Sequence, residues 1–210
     1  MPMNVPKIIW QTHNYEFDEL PDHLKMITQT WINLNPGWDY RYVSHTEREE
    51  IVKKYPKSFK HYQTIEPIFQ ADVWRNIVTY EHGGVYADMD SICIKPLDYL
   101  LNNIDDCEML LVPLTENGGH VGNGNFAIKS NSEIMKRIIN LHFKKNEFPF
   151  SCFAKVATKS DNVLYQFTSA IHSQAFKTNF DPISQDFWVD NYGEKITYRE
   201  FIRKYNLTFI

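Results

Sequence analysis

The chain has 210 residues, of which 43% are hydrophobic and 15% aromatic, so it can bury the core of one domain or of one domain with a small appendage. The net charge is −4, from 22 basic and 26 acidic residues, and no basic run or basic helix face occurs. Nucleic acid is therefore excluded as an expected partner. The moderate charge and the many aromatic residues also exclude an intrinsically disordered chain.

The cysteines and the N-terminal residues indicate a reducing compartment such as the cytoplasm. Cys93, Cys107 and Cys152 are widely spaced and form no Cys-x-x-Cys pair, which argues against a zinc site or a disulfide framework and for reduced thiols. The first residues lack the apolar segment of a signal peptide, and no apolar run approaches the ~20 residues that span a bilayer. We therefore expect a soluble, cytoplasmic chain without a membrane span. Whether it is part of a longer multidomain protein stays open.

Predicted strands and helices alternate along the chain. In order they are strand 5–11, helix 22–35, strand 38–43, helix 46–54, helix 66–82, strands 85–90 and 92–94, strand 109–114, loop 116–125, strand 126–128, and helices 131–145, 162–176 and 197–205. This alternation favours an α/β fold with a mostly parallel central sheet flanked by helices. Since neither a repeat nor a linker is found, residues 1–210 are expected to form a single domain.

The stretch 71–90 is the most informative part of the sequence. Its helical half places Asp72 and Arg75 at i and i+3, hence on one face. A glycine pair and a short apolar strand follow, and then two aspartates, Asp88 and Asp90. An Asp and an Arg held together on a helix can bind sugar hydroxyls, because one accepts and the other donates hydrogen bonds. A simple helical ion pair is the alternative.

The aspartate pair suits a divalent cation. Side chains at i and i+2 of a strand share one face, so Asp88 and Asp90 are predicted to address one ion. Carboxylate oxygens are hard ligands that suit Mg²⁺ or Mn²⁺, and such an ion takes further ligands from water and substrate phosphates. It would stabilise a nucleoside diphosphate that departs from a sugar. Because Asp-x-Asp alone is common in turns, the prediction rests on its combination with the preceding helix, glycines and strand.

Four blocks in the same order resemble glycosyltransferase family 32 and the related sugar-binding DXD-motif glycosyltransferases, which include the glucosylating domains of large clostridial toxins. The blocks are Val5-Pro-Lys-Ile-Ile-Trp-Gln11, Asp72-Val-Trp-Arg75, Gly83-Gly-Val-Tyr86 and Asp88-Met-Asp90. The small size is similar to that of compact virus-encoded members, such as a chlorella-virus glycosyltransferase domain, for which the compartment would be the host cytoplasm. The resemblance implies a GT-A nucleotide-diphospho-sugar transferase fold, with the donor at the carboxyl ends of the strands.

The resemblance implies a role for each matching residue. Asp72 and Arg75 would contact the donor sugar. Asp88 would contact the ribose and metal-bound water, and Asp90 would bind Mn²⁺ or Mg²⁺ directly. Asp88, Asp90 and Arg75 would thus form the catalytic group. Tyr86 belongs to the motif, but its interpretation as an aromatic residue of the strand core is preferred.

Further ligand contacts are expected outside these motifs. Gln11 and Thr12 would border the nucleotide. Asn123 and Asn125 lie in the predicted glycine-rich loop, where family members often place an Asn against the donor or acceptor sugar, and a plain surface turn is the alternative. His172, on a predicted helix, is a candidate third metal ligand, with an ordinary helical histidine as the alternative.

The sequence departs from the family pattern in three places. Trp10 stands where His is usual, and His13 where Trp is usual, so base stacking there is not implied. The family's Thr-Gly-Pro step appears at most as Thr168-Ser-Ala170. The His-His-Trp-like ending is absent, so a C-terminal metal ligand and a lid are not implied either.

The expected activity is that of a metal-dependent retaining glycosyltransferase. It would move a hexose from a UDP-sugar, UDP-glucose being the best choice, to a glycan, a glycoprotein or another hydroxyl acceptor. Double displacement needs a carboxylate beneath the sugar, and none stands out once Asp88 and Asp90 hold the metal, so same-face attack is favoured. Two alternatives stay open: an aspartyl-nucleophile phosphohydrolase, with Asp88 attacking phosphorus, and a non-catalytic nucleotide-sugar binding module.

Overall fold

The fold is seen in a computed structural model of the chain. The structure describes residues 1–93, 95–102, 104–113, 121–145, 149–157, 159–160, 163–165, 179–181, 186–189 and 194–197. Within these ranges the strands form a six-stranded sheet and a separate three-stranded sheet. No helix in them combines the length and the apolar composition that crossing a bilayer requires.

The bounds of the elements follow the alternation that the sequence predicts. The strands are β1 Ile8–Thr12, β2 Asp39–Val43, β3 Gly84–Ala87, β4 Met109–Pro113, β5 Val121–Ile128, β6 Val163–Tyr165, β7 Asn179–Asp181, β8 Asp186–Val189 and β9 Glu194–Thr197. The α-helices are α1 Asp22–Leu34, α2 His45–Lys53, α3 Pro56–Tyr62, α4 Pro67–His82, α5 Leu97–Asn102, α6 Glu133–Lys145 and α7 Pro149–Ala157, and a short 3₁₀ helix spans Phe17–Glu19.

The larger sheet is mixed, with the strand order β2-β1-β3-β5-β4-β6. β1 is parallel to both β2 and β3, and β4 is parallel to β6, whereas β5 is antiparallel to β3 and to β4. The predicted α/β architecture is confirmed, but the sheet is less parallel than expected. The reason is that few residues separate β4 from β5, and a parallel connection needs a crossover of about a dozen or more.

The two faces of this sheet bury different apolar clusters. In β1, Ile9 packs on one face and Trp10 on the other, and in β3 the same holds for Val85 and Tyr86. α1 and α5 supply buried residues to the first cluster, while α4, α6 and α7 supply them to the second. Burial on both faces follows from the two-residue period of the strands combined with helices on each side.

The junction between α4 and β3 requires glycine. Gly83 and Gly84 have φ angles of +66° and +102°, a region that residues with a Cβ rarely adopt. A Cβ on Gly84 would lie 2.5 Å from the carbonyl oxygen of Ile8. The glycine pair therefore ends the helix and lets β3 lie directly beside β1, which fixes the position of Asp88 at the far end of the strand.

The aspartate pair lies beyond β3 and not within it. β3 ends at Ala87, and the backbone N–H of Ser91 donates to the carbonyl oxygen of Asp88 at 3.0 Å, which closes a turn. The predicted strand 85–90 was too long, and Asp88 and Asp90 do not share a strand face. The predicted strand 92–94 is also wrong for residues 92–93. The turn preference of Asp outweighed the apolar run.

Several other predictions were wrong for physical reasons. Residues 121–125 belong to β5 and not to a loop, because pairing with β3 and β4 overrides the weak strand preference of Asn and Gly. Residues 163–165 form β6 and do not begin a helix, and most of the predicted helices 162–176 and 197–205 lies outside the described residues. The short helices α3, α5 and α7 were missed, since each spans too few turns for its apolar period to stand out.

Candidate functional site

The carboxyl ends of the strands meet at Asp88. Its backbone N–H donates to the carbonyl oxygen of Gly124 in β5 at 2.7 Å. Its own carbonyl oxygen accepts a hydrogen bond from Gln11 Nε2 in β1 at 3.1 Å, and the hydroxyl of Tyr40 in β2 donates to Gln11 Oε1 at 2.9 Å. Neighbouring strands thus hold the backbone of Asp88, and Gln11, predicted to border the nucleotide, is the fully buried link between them.

A buried polar cluster lies beside Asp88. Asp72 and Arg75 of α4 form an ion pair of 3.0 Å between Oδ1 and Nη2. Asn123 of β5 joins them, because its Nδ2 donates to Asp72 Oδ1 at 2.9 Å and its carbonyl oxygen accepts from Arg75 Nη1 at 2.7 Å. None of the three residues is more than 7% exposed. Buried charges are costly unless paired, so this is a constrained cluster and not an ordinary ion pair on a helix surface.

Arg75 connects the cluster to Asp88. Its Nη1 lies 3.2 Å from Asp88 Oδ1, and the Tyr86 hydroxyl donates to that same oxygen at 2.8 Å. The guanidinium also lies over the Tyr86 ring, with 4.4 Å from Cζ to the ring centre. Tyr86 therefore does more than fill the strand core. It orients the Asp88 carboxylate and supports the arginine.

Each of the two carboxylates is held through one oxygen. The contacts of Asp72 and Asp88 all go to Oδ1. Oδ2 of each makes no hydrogen bond to any residue in the described part of the chain. Two fixed carboxylates, each with a free acceptor beside one guanidinium, can bind hydroxyl groups or a cation without first rearranging.

The charged groups of the cluster affect one another's pKa values. Burial raises the pKa of Asp72, and Arg75 and Asn123 act against that rise. Burial would lower the pKa of Arg75, but Tyr86 and the two carboxylates around it raise that pKa overall. Arg75 therefore stays charged and is the cation that holds both aspartates.

Asp90 differs from Asp88, since it lies in the turn with an exposed side chain. Protein atoms packed around its carboxyl group raise its pKa to about 6, and the neighbouring Asp88 carboxylate adds to that rise. Because the residue is exposed, solvent screens part of this effect. Two carboxylates that repel each other favour a bound cation, and their hard oxygens fit Mg²⁺ or Mn²⁺.

The protein alone offers few ligands to such a cation. Among the residues that the structure describes, no group of three or more His, Cys, Asp or Glu side chains is arranged to hold a metal. A Mg²⁺ or Mn²⁺ ion at Asp88 and Asp90 would therefore complete its shell with water and with phosphate oxygens of a substrate. His172, the predicted third ligand, lies outside the described residues.

Gly124 leaves the space that the Asp88 carboxylate occupies. A Cβ at this position would run into Asp88 Oδ2 and would lie 3.2 Å from Cγ. The glycine is thus required by the close approach of a side chain and not by a turn. This role of Gly124 was not predicted, because the residue was assigned to a loop, although a glycine inside a strand pattern signals such an approach.

The remaining predicted residues have structural partners. The Thr12 hydroxyl donates to the carbonyl oxygen of Val43 at 2.6 Å and so joins β1 to β2. Asn125 Nδ2 donates to Ser91 Oγ at 2.9 Å, which ties β5 to the turn after Asp88. Oδ1 of Asn125 is buried and has no partner among the described residues. Ser91 was not singled out from the sequence, since a serine after an aspartate pair carries no distinctive signal.

A separate cavity of about 460 Å³ lies between β1, β2, α2 and α4. It contains none of the predicted site residues, and most of its charged groups already have partners. Its polar and aromatic lining includes Trp10, Arg41, Glu47, Lys54, Glu81 and His82. We therefore place the functional site at the polar cluster around Asp88.

Comparison with known proteins indicates a glycosyltransferase family. A protein-family model described as "Glycosyltransferase sugar-binding region containing DXD motif" matches residues 21–108. The matched segment includes Asp72, Arg75 and the aspartate pair. It does not extend to Asn123 and Asn125.

Curated relatives match about half of the chain. "Mannosyl phosphorylinositol ceramide synthase SUR1" of Saccharomyces cerevisiae is 38% identical over 106 residues, which are 48% of this chain and 26% of that protein. "Initiation-specific alpha-1,6-mannosyltransferase" of Candida albicans is 32% identical over 124 residues, which are 56% of this chain and 31% of that protein. The chain thus spans about a quarter to a third of the length of these relatives.

A solved structure described as "PaToxG Glycosyltransferase" is similar in fold. Its TM-score is 0.59 at 13% sequence identity, and the match covers 75% of this chain and 70% of that one. At this identity the likeness concerns the fold alone, and it confirms the expected GT-A architecture.

Proposed function

We propose that this chain, whose residues 21–108 match the family model of glycosyltransferases with a DXD-containing sugar-binding region, transfers a hexose from a nucleoside-diphosphate sugar to an acceptor hydroxyl. The observation that carries the proposal is the joined cluster at the carboxyl ends of the strands. In it, Arg75 holds Asp72 and Asp88 by one oxygen each and leaves the other oxygen free. Ligands of open α/β sheets bind at this edge.

The α4 pair binds the donor sugar in this proposal. Sugar hydroxyls both donate and accept hydrogen bonds, so a carboxylate beside a guanidinium matches them. Asp72 accepts through Oδ2, and Asn123 keeps its Oδ1 occupied. Arg75 holds both carboxylates in place, so that the sugar meets a preformed set of partners.

Asp88 and Asp90 would hold a Mn²⁺ or Mg²⁺ ion, Asp90 directly and Asp88 through water. When bound, such an ion neutralises charge that develops on the departing diphosphate. The chain's own residues orient the carboxylates at which the ion would bind. Tyr86 and Arg75 fix the Asp88 carboxylate, while Asp90 stays exposed to the solvent from which the ion comes.

We propose retention of configuration by same-face attack. Asp72, the remaining carboxylate of the cluster, is held through Oδ1 by Arg75 and Asn123, and in this proposal its Oδ2 binds a sugar hydroxyl and does not act as the nucleophile. The acceptor oxygen bonds to the anomeric carbon while the bond from that carbon to the phosphate oxygen breaks. The leaving phosphate takes the proton of the acceptor hydroxyl, so no base from the protein is needed.

The identity of the donor sugar is the most specific part of the proposal. The sequence resemblance favours UDP-glucose, whereas the names of the relatives specify mannosyl transfer. Both sugars are hexoses, and both fit a pair of residues that binds hydroxyl groups. The proposed acceptor is a hydroxyl of a glycan or glycoprotein, and residues 1–210 are proposed to form one GT-A domain.

Donor turnover tests the proposed function. UDP-glucose and GDP-mannose are incubated with Mn²⁺, and the release of nucleoside diphosphate is measured with and without added acceptor sugars. Asp90→Ala is expected to lower turnover by about 100-fold or more, by analogy with the loss of one group that stabilises a developing charge. Asp105→Ala removes an exposed carboxylate outside the cluster and is expected to leave turnover unchanged.

Three results of this experiment would count against the proposal. Turnover by Asp90→Ala at the wild-type rate contradicts the role of the aspartate pair. Tight donor binding without any turnover favours the non-catalytic binding module. Covalent phosphate on Asp88 would favour the phosphohydrolase.

A further inference from the structure

Arg48 is a buried cation that has no carboxylate partner among the residues that the structure describes. It lies in the first turn of α2 and is 1% exposed. Its Nη2 donates to Asn14 Oδ1 at 2.7 Å and lies 3.3 Å from His45 Nδ1. Its Nε is buried with no hydrogen-bond partner, and no carboxylate of the described residues lies within ion-pair distance of its guanidinium.

Comparison with Arg75 shows how unusual this is. Arg75 is buried to a similar degree, but two carboxylates, a carbonyl oxygen and a tyrosine ring surround it. Arg48 has one amide oxygen and one imidazole nitrogen. A charge taken out of water is unfavourable unless an opposite charge compensates it. The negative partner of Arg48 is therefore expected to come from outside the described residues.

Arg48 is close to the proposed donor site. Its partner Asn14 follows Gln11, which binds the backbone of Asp88, by three residues. Burial lowers the pKa of Arg48, while the nearby Tyr62, Tyr86 and Tyr42 act against that fall, and the Arg75 guanidinium adds a smaller lowering. The hydroxyl of Tyr62, another neighbour, is also buried without a partner among the described residues.

The first turn of α2 adds to the attraction for an anion. The helix begins after Ser44, directly at the end of β2, so its positive end lies at the same edge of the sheet as Asp88. A helix start alone would not define a site. Here it coincides with a buried guanidinium whose hydrogen-bonding groups are only partly used.

We propose that Arg48 binds a phosphate group of the donor's nucleoside diphosphate, and that Asn14 occupies the position of a phosphate oxygen when no donor is bound. This inference rests on the proposed function. Asn14 is exposed and lies in a bend after β1, so its side chain can turn away and uncover the guanidinium. The phosphate then supplies the negative charge that the described residues lack at this position, and the paired N–H donors of the Arg48 guanidinium match its oxygens.

Variants of Asn14 give the sharpest test, because an exposed residue can be replaced without loss of the fold. Asn14→Asp places a permanent carboxylate on Arg48. It should raise the melting temperature of the ligand-free chain and weaken the binding of UDP or GDP by about tenfold, since the carboxylate competes with the phosphate. Asn14→Ala removes the competing oxygen and should leave diphosphate binding unchanged or stronger.

Variants of Arg48 test the cation itself. Arg48→Met keeps the length of the side chain without its charge and should weaken UDP or GDP binding by about tenfold or more, as expected for the loss of a charged hydrogen bond. Its ligand-free melting temperature should not fall, because removing an uncompensated buried charge is neutral or stabilising. Arg41→Met removes an exposed, paired arginine and serves as the control.

Calorimetric titration in Mn²⁺ with UDP and GDP, and with uridine and guanosine as phosphate-free probes, separates the outcomes. A loss confined to the diphosphates supports the inference. Equal diphosphate affinity in wild type, Asn14→Asp and Arg48→Met overturns it, as does an equal loss for nucleosides and diphosphates. If wild type binds none of the four probes, the proposed function itself is wrong, and this result is distinct from a failure of Arg48 alone.

Discussion

The orientation of Asp88 depends on groups that use only one of its oxygens. Tyr86 and Arg75 both contact Oδ1, and Gly124 provides the room in which Oδ2 lies. Asp72 is likewise held through Oδ1 alone. The cluster therefore fixes both carboxylates and leaves Oδ2 of each free to accept a hydrogen bond. Small changes at these residues should therefore alter ligand binding and turnover more than they alter stability.

Tyr86→Phe tests the orientation of Asp88. The change removes the hydrogen bond to Oδ1 but keeps the ring beneath Arg75. Loss of one hydrogen bond to a charged group is expected to raise the barrier by about 1.5–3 kcal/mol, or roughly 10–100-fold in kcat/KM. Stability should change by about 1 kcal/mol or less. Steady-state kinetics and denaturant unfolding measure the two effects, and Tyr99→Phe, at a half-exposed residue, is the control.

Gly124→Ala tests the space beside Asp88. The new Cβ would collide with Oδ2, so the carboxylate must leave its position. We expect turnover to fall by about tenfold or more, with a smaller effect on stability, because the atom that must move is the end of the Asp88 side chain. Gly37→Ala introduces the same methyl group where no atom lies within 4 Å. If both variants turn over donor at the wild-type rate, the close approach of Gly124 has no functional role.

The pKa of Asp90, raised to about 6, predicts a pH dependence. A metal binds the ionised carboxylate, so protons compete with Mn²⁺ below about pH 6 and the apparent affinity should fall roughly tenfold per pH unit there. It should level off above about pH 7. Titration of free Mn²⁺ by electron paramagnetic resonance between about pH 5 and pH 8 measures this, and an affinity independent of pH contradicts it.

The contribution of Asp90 to the stability of the metal-free chain should have the opposite dependence on pH. The Asp90 pKa is raised in the folded state, so the folded chain binds this proton more tightly than the unfolded chain. The stabilisation is present below about pH 4 and is lost as the pH rises through about 6. At neutral pH, Asp90→Asn should therefore unfold at the same or higher denaturant concentration than wild type, while it binds Mn²⁺ more weakly.

At the level of elements, the site forms where α4, β3 and β5 converge. α4 carries Asp72 and Arg75, β3 ends at Asp88, and β5 contributes Asn123 and Gly124. The glycine pair between α4 and β3 makes this convergence possible, because it reverses the chain within two residues. The geometry of the site is thus a consequence of how closely β3 can approach β1.

The sequence predicted those parts of the site that follow a local pattern. The i, i+3 spacing of Asp72 and Arg75 and the glycine pair were sufficient to place both on one helix before a buried strand. The contribution of β5 could not be predicted, since Asn123 and Gly124 resemble a loop until their pairing with β3 is known. The same limit explains β6, whose three residues become a strand only by pairing with β4.

Gly84→Ala tests the junction of α4 and β3. The position has a φ of +102°, and an added Cβ would meet the carbonyl oxygen of Ile8 at 2.5 Å. We expect a loss of about 2 kcal/mol or more in the free energy of unfolding, from backbone strain and from a displaced β3. Denaturant unfolding measures the loss. A variant as stable as wild type would show that β3 can move away from β1 without penalty.

For the whole molecule, binding of the donor and of the cation stabilises the folded chain, because both ligands bind the folded state and not the unfolded one. A ligand that binds only the folded chain stabilises it in proportion to its affinity, about 2.7 kcal/mol at 100 times its dissociation constant. The described cluster already holds its carboxylates in place, so ligand binding requires little reorganisation of the protein. Stability measured with ligand therefore reports on the site directly, without an acceptor and without turnover.

A thermal-unfolding series with Mn²⁺ and UDP or GDP makes this coupling measurable. For a chain of this size, ligand at about 100 times its dissociation constant should raise the melting temperature by roughly 5–10 °C. Asp90→Ala should lose the part of the shift that depends on Mn²⁺ and keep the part that the nucleotide produces alone. Arg75→Lys should lose both parts, because a lysine cannot hold Asp72 and Asp88 in the same fork. An equal shift in all three proteins would mean that the ligands bind elsewhere on the molecule.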